Sequence, residues 1–187
     1  MASNNDRFWE EENQANLACV VEAIANSSLA NRPDQYGDTP LVKAIRLSRP
    51  DQRLLYVKTL IEVGADPGYR GDDGSGDALF EAVLQQDAAV LELLLSHGAN
   101  PTYIVDFPES LYDWAEFDYR YEAWNLNSPI EPTESDRTSE NHWLDYLDRC
   151  ADFLGVPKPA HLRVLRSFGA LCRSEMEERE KCRIDTN

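Results

Sequence analysis

The side chains able to do chemistry are scattered along the 187 residues instead of gathered. His97, His142 and His161 stand far apart, and Cys19, Cys150, Cys172 and Cys182 form no CxxC pair. A structural zinc draws its ligands from pairs a few residues apart, so this pattern predicts no metal site. Carboxylates are abundant, with 34 Asp and Glu. Asp113 and Glu116 share a helix face, as do Asp118 and Glu122, by their three- and four-residue spacing. With no histidine or metal beside them, these pairs read as a solvated or partner-facing surface, not as general acids and bases. The stretch Gly71-Asp-Asp-Gly-Ser-Gly76 is rich in glycine and acid. It lacks both the Glu-terminated calcium loop and the Gly-Lys-Ser/Thr of a phosphate loop. No GxSxG is present either. The sequence therefore predicts no catalytic residue, no cofactor and no enzyme.

Charge narrows the partners. The net charge is −16. A chain this acidic repels nucleic acid and anionic membranes; the charge either serves solubility alone or steers a basic protein partner into contact. No apolar run approaches the roughly 20 residues needed to cross a bilayer. The opening MASNNDRFWEEENQ lacks a basic start followed by an apolar block. The expectation is a cytoplasmic chain with free thiols.

The elements that position these residues repeat. Val57-Lys-Thr-Leu-Ile-Glu-Val-Gly-Ala-Asp-Pro67 and Val90-Leu-Glu-Leu-Leu-Leu-Ser-His-Gly-Ala-Asn-Pro101 end alike, with Gly64 and Gly98 34 residues apart. Each glycine sits where a helix C-cap residue of positive φ belongs. Upstream, Asp34 and Gly37 suit a tight turn, Thr39 can cap a helix, and Pro40 takes its first position, where the missing N–H is harmless. Leu41, Ala44 and Ile45 then face inward. Asp73-Gly-Ser-Gly-Asp-Ala-Leu79 followed by Phe80-Glu-Ala82 is a degenerate second copy, and Pro108-Glu-Ser-Leu-Tyr112-Asp-Trp-Ala115 a third. The extra residues of the first copy are expected at Ser48–Gln52, between its two helices.

The Thr39-Pro40-Leu41 triplet with Ala44, repeated at this spacing and closed by Gly-Ala-Asp/Asn-Pro, resembles the ankyrin-repeat family, with Val42 in place of the usual His. The resemblance runs over about residues 15–171 and is closest over 31–101. It implies an all-α solenoid of stacked helix pairs with short β-turns, three to four repeats including caps. Its expected parts are capping helices at 6–30, repeats at 31–67, 68–101 and 102–171, and a charged tail at 172–187. In the cap, Leu17, Val20, Val21 and Ile24 form one face. The tail is read as a charged end, extending the last helix or disordered.

The third copy is interrupted. Its closing helix arrives only at His161-Leu-Arg-Val-Leu-Arg-Ser-Phe-Gly-Ala170, after an insertion at about 120–158. A helix is predicted over 140–154, capped by Ser139, with Trp143, Leu144, Leu147 and Ala151 on one face. Segment 106–152 holds 13 acids and 3 bases, hence 3 − 13 = −10. It is also rich in aromatics. Tyr112 and Trp114 are expected in the core, and Tyr119, Tyr121 and Trp124 at the surface.

The resemblance implies protein binding through turn tips and first-helix surfaces, here Gln35, Tyr36, Asp38, Lys43, Asp72, Asp73, Glu81 and Tyr103. To these the acidic third copy adds Asp113, Glu116, Asp118, Tyr119, Tyr121, Glu122 and Trp124. The expected function is a monomeric immunity protein that binds and neutralises a basic toxin domain. The alternative is an adaptor or regulator of a basic cellular partner.

Overall fold

A computed structural model describes residues 17–47, 49–71, 74–106 and 109–184. The chain is mostly helical and divides into two compact units, residues 1–99 and 100–187. Among the described residues no helix is long and apolar enough to cross a membrane.

In the first unit, helix α1 covers residues 17–25 and buries Val20 and Ala23. Val21, expected on that inner face, is 55% exposed. The inner stripe instead follows positions 20 and 23, at the three-residue step of a helix. The rest of the expected cap, residues 6–16, lies outside the described residues. Two helix pairs follow: α2 (Pro40–Leu47) with α3 (Pro50–Glu62), and α4 (Ala78–Leu84) with α5 (Ala88–Ser96). First helix packs on first helix and second on second, α2 against α4 and α3 against α5. The small Ala44 and Ala82, both wholly buried, permit that approach. Leu41, Ile45, Leu60, Leu79, Leu91 and Leu94 fill the core.

The expected linker at 48–52 is mostly helix. Pro50 opens α3, and the extra length lies in that helix, 13 residues against 9 in α5. Proline at a first helical position explains why the chain resumes helix there. Thr39 starts α2 by accepting the Val42 N–H, and Asp77 and Asp87 cap α4 and α5. Gly64 and Gly98 leave the second helices with φ of 101° and 98°. Gly37 is held more tightly. Its φ is 85°, and a Cβ there would lie 2.2 Å from the Ser75 hydroxyl in the next turn.

Charged side chains join one pair to the next. Arg46 Nε meets Glu81 at 2.9 Å and also pairs with Asp38. Arg53, almost buried, reaches Asp87 at 3.0 Å and Gln85 at 3.1 Å. Lys43 Nζ lies 2.7 Å from Asp34. Lys43 and Glu81, expected on a partner-facing surface, are therefore buried scaffold. Asn31 adds a clamp, donating to the Gly64 carbonyl and accepting the Asp66 N–H.

The second unit opens on a short antiparallel pair, β1 (Ile104–Asp106) with β2 (Glu109–Ser110). Then come α6 (Leu111–Trp124), α7 (Glu140–Leu154), α8 (Ala160–Ser167) and α9 (Arg173–Ile184). Helix α7 has the bounds expected from sequence. Ser139 accepts the His142 N–H, and Leu144, Leu147 and Ala151 are buried. The loop before it is tied down by the buried Asp136. Its carboxylate meets Arg149 at 2.7 Å and accepts the Thr133 N–H and hydroxyl, each at 2.8 Å. Arg149 and Thr133 hold that carboxyl down to about 2.

The tail does not extend α8. Gly169, at φ 85°, ends that helix, and α9 starts separately. Arg166 locks it with a two-pronged bond to Glu175 at 2.6 and 2.8 Å, while its guanidinium lies 5.1 Å from the Tyr112 ring centre. That pairing holds the Glu175 carboxyl down to about 2.

Candidate functional site

Helix α6 carries most of the residues expected to meet a partner. It starts with a reciprocal cap. Ser110 Oγ accepts the Asp113 N–H at 3.2 Å, and the Asp113 carboxylate accepts the Ser110 N–H at 3.2 Å. Such a box satisfies two of the donors that a helix start leaves open. The same carboxylate oxygen accepts the Arg173 N–H at 2.8 Å, 60 residues on. Asp113 is thus a clamp joining the starts of α6 and α9. The helix ends where Asn125 and Leu126 turn left-handed, at φ 50° and 60°.

Over 14 residues α6 makes nearly four turns, and its faces have different chemistry. The inner face buries Leu111, Tyr112, Ala115, Tyr119 and Trp124. Tyr112 is core, as expected from sequence; Trp114 is only half-buried. Tyr119 and Trp124, expected at the surface, are 3% and 9% exposed. The Tyr119 hydroxyl donates to the Pro157 carbonyl at 2.8 Å, and its ring meets Trp124 edge-on at 5.4 Å. Tyr119 also meets the His161 ring at 5.6 Å. These rings pack against each other inside the second unit. His161 is buried as well. Burial pushes its pKa down to about 4, against a smaller opposing effect of its bond to the Ala115 backbone.

The outer face carries Trp114, Phe117 and Tyr121. Phe117 and Tyr121 are 48% and 55% exposed. Their rings stack with centroids 6.2 Å apart and planes 13° from parallel. Trp114 lies 6.2 Å from Phe117. The three form a ladder along one side of the helix. Sequence reasoning placed Tyr121 on this surface but left out Phe117. The signal was the i, i+3, i+7 spacing of Trp114, Phe117 and Tyr121 once the helix start at Ser110 was fixed.

The acids divide. Glu116 is paired with Arg120 at 3.0 Å. Asp118 is half-buried, and Glu122 is exposed beside the ladder. Within 106–152, Asp113, Glu116, Asp136, Asp145, Asp148 and Asp152 are all held by intramolecular bonds. At least six of the 13 acids of that segment are therefore committed within the chain, and its −10 overstates the charge offered outward.

Of the remaining expected residues, Tyr36 is 76% exposed at the tip of its turn, in the first unit, and Asp38 is bound to Arg46 nearby. Tyr103 is half-buried before β1, and its carbonyl accepts the Leu111 N–H at 3.0 Å. Asp72 and Asp73 lie outside the described residues.

No protein-family model matches the chain. It is similar to Zygote-specific protein 3 of Chlamydomonas reinhardtii, 38% identical over 99 residues, which is 52% of this chain. The match spans only 25% of that protein's length.

Proposed function

We propose that this chain is an ankyrin-type repeat module that binds a protein partner and catalyses no reaction, with the outer face of α6 as its docking surface. The observation that carries this is the Trp114–Phe117–Tyr121 ladder, two of whose rings stand about half in water. Large exposed aromatics adjacent on a rigid helix are costly to leave hydrated, and they are the side chains that anchor interfaces. The pair-on-pair packing of α2 to α5, with Gly64 and Gly98 closing successive second helices, supports the repeat reading.

Asp118 and Glu122 beside the ladder suit a partner whose apolar patch has a basic rim. Since many neighbouring acids are paired internally, the rings supply most of the affinity and the carboxylates mainly the approach rate. An immunity protein holding a toxin domain is the narrower form of this reading. An adaptor holding a basic cellular partner is the alternative.

The test is capture from the chain's own cell lysate at low and high salt. Phe117→Ser with Tyr121→Ser should weaken retention of the bound partner at least tenfold at either salt, while the fold survives. Asp118→Asn with Glu122→Gln should weaken it less, and only at low salt. Undiminished capture by the Ser double variant would sink the proposal. A captured protein encoded beside this gene and toxic without it selects the immunity form.

A further inference from the structure

The three cations of segment 106–152 are Arg120, Arg137 and Arg149. Arg149 is paired with Asp136 and Arg120 with Glu116. Arg137 is exposed and makes no ion pair with any described residue, although it directly follows the buried Asp136. In so acidic a segment an unpaired guanidinium is unexpected.

Arg137 opens onto a cleft of about 430 Å³ in the second unit, between the end of α6, the loop after it and the start of α7. Arg120, Asn127, Ser128 and Trp143 line it too, with Glu131 as its one carboxylate. The Arg120 guanidinium lies 5.8 Å from the Trp143 ring centre. Leu126, also on the wall, holds φ at 60°. A branched side chain rarely adopts that conformation, which tends to collect at binding sites.

We propose that this cleft binds a carboxylate carried on an aromatic or apolar body. Arg137 supplies the free guanidinium, with Asn127 and Ser128 as its polar neighbours on the wall. Trp143 supplies a flat wall against which the body lies. Charge selects the carboxylate over a phosphate. Glu116 neutralises Arg120, and Glu131 shares the cleft with Arg137, so one incoming negative charge can be met by Arg137 and a second is disfavoured. The site does not depend on the docking role of α6, because neither Arg137 nor Trp143 belongs to the Trp114–Phe117–Tyr121 ladder.

The test uses the full chain and follows the Trp143 indole N–H by NMR, assigned with Trp143→Phe. The probes are N-acetyl-phenylalanine, its primary amide, phenyl phosphate, and a tetrapeptide ending in phenylalanine. The free acid and the peptide should shift the resonance saturably. The amide should bind at least tenfold more weakly than the acid. Arg137→Gln should lower acid binding at least tenfold with the fold intact, and Arg137→Lys by less. A peptide that binds tighter than the free acid assigns the ligand to a protein terminus or acidic segment, and the reverse order to a small acid; either result supports the site. Equal binding of acid and amide, or undiminished binding by Arg137→Gln, overturns it. Phenyl phosphate binding tighter than the acid overturns the choice of carboxylate.

Discussion

The first helices of the two units start alike and end differently. Helices α2 and α4 run 8 and 7 residues, and the charges around them close on each other, Arg46 on Glu81 and Lys43 on Asp34. Helix α6 begins with the same kind of cap but runs 14 residues. The added turns bury Tyr119 and Trp124 and leave Phe117 and Tyr121 in water. In the first unit the polar residues are scaffold. In the second the scaffold is aromatic, and a residue of aromatic surface is left over. Charge alone is thus a poor guide to function here, because in both units many charged side chains close the fold instead of facing outward.

The sharpest way to break this comparison is to ask whether α7 is as well packed as the helix pairs of the first unit. Leu147 in α7 and Leu91 in α5 are both fully buried. Leu147→Ala should cost about 3 kcal/mol in urea unfolding, close to the cost of Leu91→Ala. A cost near zero would make α7 a loose cap.

Acid comes next. The folded pKa of His161 lies near 4, below its unfolded value of 6.5. The unfolded chain therefore binds the proton first as pH falls. The contribution is complete above about pH 6.5 and is lost progressively down to about pH 4, amounting to about 3 kcal/mol. His161→Gln should remove this part of the acid slope, measured as unfolding free energy against pH. An unchanged slope would show that His161 is not buried as a neutral ring.

Smaller effects test the first unit. Arg53→Met strands the Asp87 carboxylate at the start of α5 and should cost about 2 kcal/mol, discounted because Asp87 is partly exposed. Gly98→Ala meets no neighbouring atom, so only its backbone conformation is penalised. About 1 kcal/mol is expected from thermal unfolding.

Local signals were the legible part of the sequence. Thr39-Pro40, Ser110, Ser139, Gly64 and Gly98 set helix ends through bonds within a few residues, and each is where the sequence put it. The identity of a partner 35 residues away was not legible. Nothing near Glu81 reveals that Arg46 covers it, so it read as surface. Tyr119 and Trp124 were misplaced for a related reason. Aromatic type gives no direction until the helix length fixes which side faces the volume to be filled. The end of the chain was misread because α9 is held by Arg166 and Asp113, two residues that precede it.

The Asp113 carboxylate, joined to the Arg173 amide, has a consequence for engineering. It brings the beginning and end of a 60-residue excursion to one point. Between those ends the chain can lengthen at modest entropic cost, since each doubling of a flexible loop costs only about 0.6 kcal/mol once its anchors are fixed. An insertion within that excursion must leave Asp113 and Asp136 in place, and Thr133 with them, because Thr133 holds the Asp136 carboxylate.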